Sequence, residues 1–386
     1  MGKGFGRWVI GSVGVAASLI ASTTPVAALQ SLVLPPQIWM RTPYAPIAFP
    51  ADGGHHFIYE LYLTNLSSAE VRVKSLDIID PDNADREPLR RFTGKQLTAI
   101  AQPLGEGMSM DESAKPISVA PGRTVALFLA ISVPQGEPLP EHLAERLTYS
   151  DGTVVTGGTV EARHPLLKVL GPPVRGSDWD AADGPGNGRY NHHRRGIFVI
   201  DGHLADSRRF AIDWKQVRNG ASFSGDKTRD SSYYAYRQPV LAVADAVVIE
   251  ARDGLPDNPP GHGVDFHPAA ALTFDKLGGN TITLDLGDGQ YAHYYHLHPG
   301  SLRVKVGDHV QRGQVIARIG ASGDAREPHL HFEVSTTPSL LTGEGVPYVI
   351  DRYRVLPDDG HKGGVRRNET PLDGMIIDFG PATSTR

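Results

Sequence analysis

The stretch Glu327-Pro328-His329-Leu330-His331-Phe332-Glu333-Val334 decides how this chain is to be read. From His329 onward it alternates, the period of a β-strand with one buried face. Leu330, Phe332 and Val334 fall on one side; His329, His331 and Glu333 fall on the other. Such a strand seats its apolar face in a core and directs two imidazoles together into a cleft. Imidazole is the commonest protein ligand for zinc, so this face supplies half of a metal site.

Composition limits what can complete that site. The 386 residues contain no cysteine, which excludes disulfides, thiolate metal sites and a thiol nucleophile. Any metal must be held by His, Asp or Glu. The 43 glycines and 30 prolines, with 21% charged residues, suit a loop-rich β protein. A net charge of -5, without a basic stripe interleaved with aromatics, argues against nucleic acid as a partner.

Residues 1–28 read as an export signal: Lys3 and Arg7 are basic, Trp8 to Ala21 is apolar, and Val26-Ala27-Ala28 is a small-residue cleavage site before Leu29. An uncleaved N-terminal anchor is the alternative. The mature chain is expected in the periplasm or outside the cell, with no membrane contact once the signal is removed.

Residues 29–165 show strand-like runs at Tyr59 to Asn65, Val71 to Ile79 and Val125 to Val133, punctuated by Pro and Gly. They predict an immunoglobulin-like β-sandwich without a catalytic constellation. His55 and His56 read as a solvated loop at a strand start. Pro and Gly density across 166–189 predicts a linker. The second domain, 190–386, reads as β throughout, with strands at Arg208 to Trp214, Val240 to Ile249, Thr281 to Leu286, Gln290 to Leu297 and Val315 to Gly320. Met375 to Phe379 reads as a final edge strand. The fold class is therefore all-β.

A catalytic zinc takes three protein ligands and keeps one position for water. His331 is one candidate. Asp213 is the best carboxylate, because its strand neighbours Phe210, Ile212 and Trp214 are apolar and a half-buried Asp needs a partner. A salt bridge to Arg208 or Arg209 is the plainer alternative. The third ligand follows from an assumed hairpin. If Gly196 to Ile200 and Arg208 to Trp214 pair about His203, His193 lies opposite Asp213. His192 is the fallback and His203 a weaker one. His296, in Tyr294-Tyr295-His296-Leu297 before a Pro299-Gly300 turn, is an ordinary surface histidine unless a metal lies beside it. In that case it is a candidate to act on the water or a tetrahedral oxyanion. His293 has no supporting pattern.

The second domain resembles the lysostaphin/LytM-type zinc metallopeptidases, which cut peptidoglycan peptides on a duplicated hybrid motif fold. The resemblance rests on Phe210-Ala211-Ile212-Asp213, Pro239 to Asp245, Gly279-Asn280, Tyr295-His296-Leu297, Val306 to Val310 with Gly313-Gln314, Gly320-Ala321-Ser322-Gly323 and Pro328 to Phe332, in order from about 190 to 352. It implies that His193, Asp213 and His331 bind Zn2+, and that His296 and His329 act on the water and the transition state. The family usually carries its first histidine four residues before the aspartate; here that place is Arg209, which cannot ligate zinc. Some relatives replace it with a more distant histidine, in a pattern like His193-Arg194-Arg195. Ala246 stands where a turn glycine is usual.

The reading that results is an exported zinc metalloendopeptidase acting on peptidoglycan peptides. A catalytically silent wall-binding or hydrolase-activator module, and a zinc peptidase of non-wall substrates, are the alternatives. The role of residues 29–165 and any regulatory protein partner stay open.

Overall fold

The computed structural model describes residues 34–83, 85–105, 117–188, 190–358 and 360–380. The export-signal reading therefore lies outside the described residues. Those residues are overwhelmingly β; the α-helix Gly94–Ala99 is a single short turn, and no described helix is long and apolar enough to cross a membrane.

Two antiparallel sheets build the N-terminal half. One runs Ile38–Arg41, Gly54–Asn65, Thr124–Pro134, Ala101–Pro103, with Phe49–Ala51 added beside Gly54–Asn65. The other runs Val154–Thr156, His142–Tyr149, Val71–Ile79, Arg90–Thr93, with Ile117–Val119 and Val160–Glu161 attached. Phe57, Leu61 and Leu63 from the first sheet meet Val73, Leu76 and Ile78 from the second in one core. This is a two-sheet sandwich, compatible with the immunoglobulin-like expectation.

The period of the Gly54–Asn65 strand explains how the two halves join. Its odd-numbered residues fill the sandwich, so its even-numbered residues face out. They are buried too: Ile58 packs with Phe210, Tyr62 packs with Phe128 and Ile197, and Glu60 is 2% exposed. The outer face of the first sheet is thus an interior surface against the second half.

The second half is organised on a ten-stranded sheet. Its order is His309–Val310, Ala246–Arg252, Asn280–Asp285, Tyr291–Leu297, Leu330–Ser335, Ile212–Gln216, Trp179–Ala182, Ile376–Asp378, Tyr353–Val355, Gly364–Arg366. Trp179, Trp214, Tyr294, Phe332 and Ile377 enter its core, closed from the far side by the paired strands Pro239–Leu241 and Val315–Arg318. The apolar face of the Leu330–Ser335 strand enters this core as its alternation requires.

Several local expectations are corrected. The stretch 166–189 contributes Val169–Leu170 and Trp179–Ala182, and the latter is an interior strand, paired with Ile212–Gln216 on one side and Ile376–Asp378 on the other. Ile376–Asp378 is also interior, paired on both sides rather than at an edge. Residues Ser207–Phe210 form a 3-10 turn, so the strand holding Asp213 begins only at Ile212. His55 and His56 lie within a strand, where His56 Nε2 is 3.0 Å from the Ala51 carbonyl. Ala246 begins a strand without left-handed backbone, so the missing glycine costs nothing there.

Glu145 is buried between the two sheets of the sandwich and accepts a hydrogen bond from Tyr59 Oη at 2.8 Å. Burial pushes its carboxyl up to about 7. A raised acid makes the fold less stable as pH climbs through the interval between the unfolded and folded values, and leaves it unaffected below. The wild type is expected to lose stability from about pH 4.5 to about pH 7, by on the order of 3 kcal/mol at most. Glu145→Gln should flatten that slope in urea unfolding across the same range. A slope identical in both proteins would reject the assignment.

Candidate metal centre

Strand register, rather than any single motif, assembles the site. Asp213 is paired directly with His331, and His331 in turn with Tyr295 on the next strand. Directly opposed residues share a sheet face, so Asp213, His331 and Tyr295 stand side by side on the face away from the core. His329 precedes its strand by one residue, and His296 sits near the end of Tyr291–Leu297.

His193 comes to Asp213 by a route other than the hairpin assumed from sequence. The hairpin that forms pairs Phe198–Ile200 with His203–Ala205 about an Asp201-Gly202 turn, with Ile200 opposite His203. It is too short to carry His193 to Asp213, and it leaves His203 exposed at the turn. Instead Trp179–Ala182 pairs with the Asp213 strand, placing Ala182 opposite Asp213. The chain then turns back, and the Asp183 carbonyl accepts a hydrogen bond from His193 Nδ1 at 2.8 Å. His193 Nε2 is thereby directed at Asp213 Oδ1, 3.2 Å away, and has no hydrogen-bond partner.

Around the Asp213 carboxylate stand His331 Nδ1 at 3.0 Å, His193 Nε2 at 3.2 Å, His329 Nε2 at 3.4 Å and His192 Nε2 at 3.7 Å. Asp213, His193, His329 and His331 are all buried, whereas the His192 side chain is 51% exposed and also pairs with Asp183. The atoms of His192, His193 and Asp213 lie within 4.8 Å of one another. His331 belongs with them through its contact to Asp213 and an edge-on approach to the His193 ring at 4.7 Å. His296 stacks obliquely on His329, with ring centres 4.8 Å apart.

Two hydrogen bonds fix the neighbouring imidazoles in the same sense. His329 Nδ1 meets the Glu327 carbonyl at 2.8 Å, and His296 Nδ1 meets the Ser322 carbonyl at 2.9 Å. Both therefore donate from Nδ1 and turn Nε2 to the cleft. The Ser322 carbonyl is held where it is needed by close backbone contact. A Cβ on Gly279 would lie 2.5 Å from it, and a Cβ on Gly323 would lie 2.3 Å from Gly279 N. Both glycines have positive φ. His296 itself adopts φ 62°, which aims its ring inward.

The charges respond to this packing. Burial favours a neutral Asp213, but His329 and His193 outweigh it and hold the carboxyl well below its usual range. Burial pushes His193 down to about 4, against the pull of Asp213. Burial, together with His329 and His331, also holds His296 well below the ordinary imidazole range. His331 goes the other way. Burial opposes its charge, but hydrogen bonds to Asp213 and to Glu333, 3.1 Å from Nε2, carry it up to about 9.

The cluster lies at the base of a cleft of about 300 Å3. Arg208, Tyr295, Arg326 and Leu341 are among the residues that line it, so it offers both charge and apolar surface. Arg208 is not the partner of Asp213; its guanidinium lies over the Phe198 ring at 5.2 Å. Arg209 turns away to Glu60 and Glu344. His293 is a buried structural residue whose Nδ1 and Nε2 meet Thr283 and Ser335. Sequence reading missed Glu333 as the second partner of His331, although its place on the polar face of the same strand was the signal. It also missed Tyr295, whose ring stacks on His331 at 5.3 Å.

The donor set suits a zinc ion: nitrogens and a carboxylate, a buried Nε2 with no hydrogen-bond partner, and a carboxylate behind one imidazole. Residues 232–341 match the profile of peptidase family M23. The chain is 37% identical to lysostaphin of Staphylococcus staphylolyticus over 86 residues, covering 19% of this chain and 18% of that protein. It is 36% identical to the cell division protein DipM of Caulobacter vibrioides over 62 residues, 16% of this chain and 10% of DipM. Among solved structures it aligns with the catalytic domain of lysostaphin from Staphylococcus simulans at 25% identity, covering 37% of this chain and 74% of that one, with a TM-score of 0.21. This segment is thus similar to the family M23 peptidases of the lysostaphin/LytM type. The matched segment holds His296, His329 and His331; His193 and Asp213 precede it. It spans less than a fifth of the length of either curated relative.

If His331 and His193 are ligands, a metal would have to displace the proton that His331 retains up to about 9, whereas His193, down at about 4, would already have lost its own. The affinity of the metal-free chain for Zn2+ should therefore rise about tenfold per unit between about pH 6 and pH 8. Chelator competition at several pH values measures this. Glu333→Gln removes one cause of the raised pKa and should reduce the slope. A flat wild-type profile would show that His331 is not a ligand.

Proposed function

We propose that this protein is an exported zinc metalloendopeptidase that hydrolyses peptide bonds in bacterial peptidoglycan. One observation carries the reading: the buried Asp213 carboxylate has His193, His329 and His331 nitrogens within 3.4 Å of it, at the base of an open cleft. His193, Asp213 and His331 would hold the ion, leaving His329 and His296 beside it. Zinc at that place would supply Lewis-acid polarisation of the scissile carbonyl and acidify the attacking water.

The chain's own residues do the remainder. Glu333 accepts from His331 Nε2, which would leave Nδ1, on the Asp213 side, to hold the metal. His329 and His296 present Nε2 to the cleft because their Nδ1 atoms donate to backbone carbonyls. One of the pair takes up the proton released by water and the other donates to the oxygen that becomes negative. Tyr295, stacked on His331, covers one side of the imidazole. The similarity to lysostaphin supports a wall-peptide substrate, and an export signal at residues 1–28 would deliver the enzyme to it. The second reading is a wall-binding or hydrolase-activator role without turnover.

Muropeptide release from purified sacculi by the mature chain with zinc tests the first reading. His331→Ala and Asp213→Ala should lose zinc and release together. His329→Ala and His296→Ala should keep zinc while kcat falls about a hundredfold to ten-thousandfold. A zinc-loaded wild type that releases nothing, yet stimulates another wall hydrolase, would replace this reading with the activator role.

A further inference from the structure

His193 lies on a loop rather than on the strand of Asp213, so something other than strand geometry must set its position. The residues that follow it are the anchor. Arg194 is 1% exposed, and its guanidinium is hydrogen-bonded to the Glu60 carboxylate, with Tyr59 and Leu129 carbonyls at 3.3 and 3.4 Å. All three acceptors belong to the first sheet of the sandwich. Arg195 donates to the Ala99 carbonyl and lies over the Phe128 ring at 4.5 Å, again in the sandwich half. On the loop side, Arg194 Nε reaches the Gly186 carbonyl at 3.2 Å, and the Arg194 backbone N–H reaches Asn191 Oδ1 at 3.0 Å.

Glu60 is shared. Arg209 grips the same carboxylate with Nε at 3.0 Å and Nη2 at 2.7 Å, and its Nη2 also meets Glu344 at 2.7 Å. Arg209 occupies the position four residues before Asp213 and is 2% exposed. One carboxylate from the sandwich therefore ties together the residue after His193 and the residue four before Asp213.

We propose that Glu60 is a positioning residue of the metal centre: it fixes His193 against Asp213 through Arg194 and Arg209, so the sandwich completes the site instead of merely accompanying it. This rests on the zinc reading above. Glu60 touches no reacting atom; it acts by holding the two segments that carry His193 and Asp213 at one separation.

The test uses the full mature chain, stripped of metal and titrated with Co2+, with visible absorption and affinity as readouts. Glu60→Gln should weaken Co2+ binding about tenfold to a hundredfold and change the absorption envelope, as loss of an outer-sphere support does. Asp77→Asn, a buried carboxylate on the second sheet of the sandwich that pairs with Arg91 and Arg146 instead, should alter neither. A folded Glu60→Gln protein with wild-type affinity and spectrum would overturn the proposal. If that variant does not fold cooperatively, Arg194→Met decides instead, because it leaves the Glu60–Arg209 pair intact: weaker binding supports the proposal and unchanged binding overturns it. If wild-type binding is absent, or is unaltered by His193→Ala, the metal-site reading itself fails and this inference falls with it.

Discussion

A carboxylate buried in a β-sheet stays ionised only if cationic or polar groups surround it, and Asp213 imposes that demand on everything near it. It is 3% exposed and lies one residue away, on either side, from core residues Ile212 and Trp214. The strand cannot shift by one without exposing those residues and burying the charge in the core. Asp213 is therefore fixed by packing, and His193, His329 and His331 gather around it. His193, His296 and His329 each donate Nδ1 to a backbone carbonyl, while His331 lies between the Asp213 and Glu333 carboxylates. That difference explains why burial depresses His193 and His296 while His331 rises.

A second buried carboxylate organises the junction between the halves. Burial works against the ionised form of Glu60, but Arg209 and Arg194 outweigh it and hold the carboxyl down at about 2. Asp206, 4.0 Å from Arg194, is instead pushed up to about 7 by burial, so Glu60 is the carboxylate that the two guanidiniums share. A buried ion pair of this kind adds little net stability over an apolar equivalent, yet removing one member leaves an uncompensated charge and costs about 3–5 kcal/mol. Its consequence is geometric. Guanidinium forks accept few carboxylate orientations, so the contact sets how the loop carrying His193 lies on the sheet carrying Glu60.

Much of this was legible in the sequence because period and spacing carry it. The alternation through His329 to Val334 gave the strand, its two faces and the pairing of His329 with His331. The apolar neighbours of Asp213 marked it as a residue in need of partners. The motif around Gly279 and Gly320 to Gly323 reflects backbone contacts too close for a side chain. What was not legible is long-range. The adjacency of His193 and Asp213 was expected, but from a hairpin register that does not form. It depends on Trp179–Ala182 entering the sheet from a stretch whose Pro and Gly content suggested a linker. Glu60 sits in an alternating strand where a polar residue ordinarily meets solvent; nothing local says that this outer face is covered.

On the proposed zinc reading, positions 193 and 209 have exchanged roles, and that exchange links these observations. When the first histidine and the aspartate sit on one strand, the backbone itself sets their separation. Here Arg209 holds the nearer position, and the histidine is supplied by a loop with few backbone ladder bonds of its own between Asp183 and Gly196. Holding a segment of that kind in one conformation costs about 1–2 kcal/mol of backbone entropy per residue. The contacts that offset it come largely from the sandwich: Glu60, the Tyr59 and Leu129 carbonyls, the Ala99 carbonyl and the Phe128 ring. An arginine at 209 is then not a lost ligand but the counterpart of Arg194 on the same carboxylate. Moving the histidine off the strand and burying the sandwich's outer face against the second half are two sides of one arrangement.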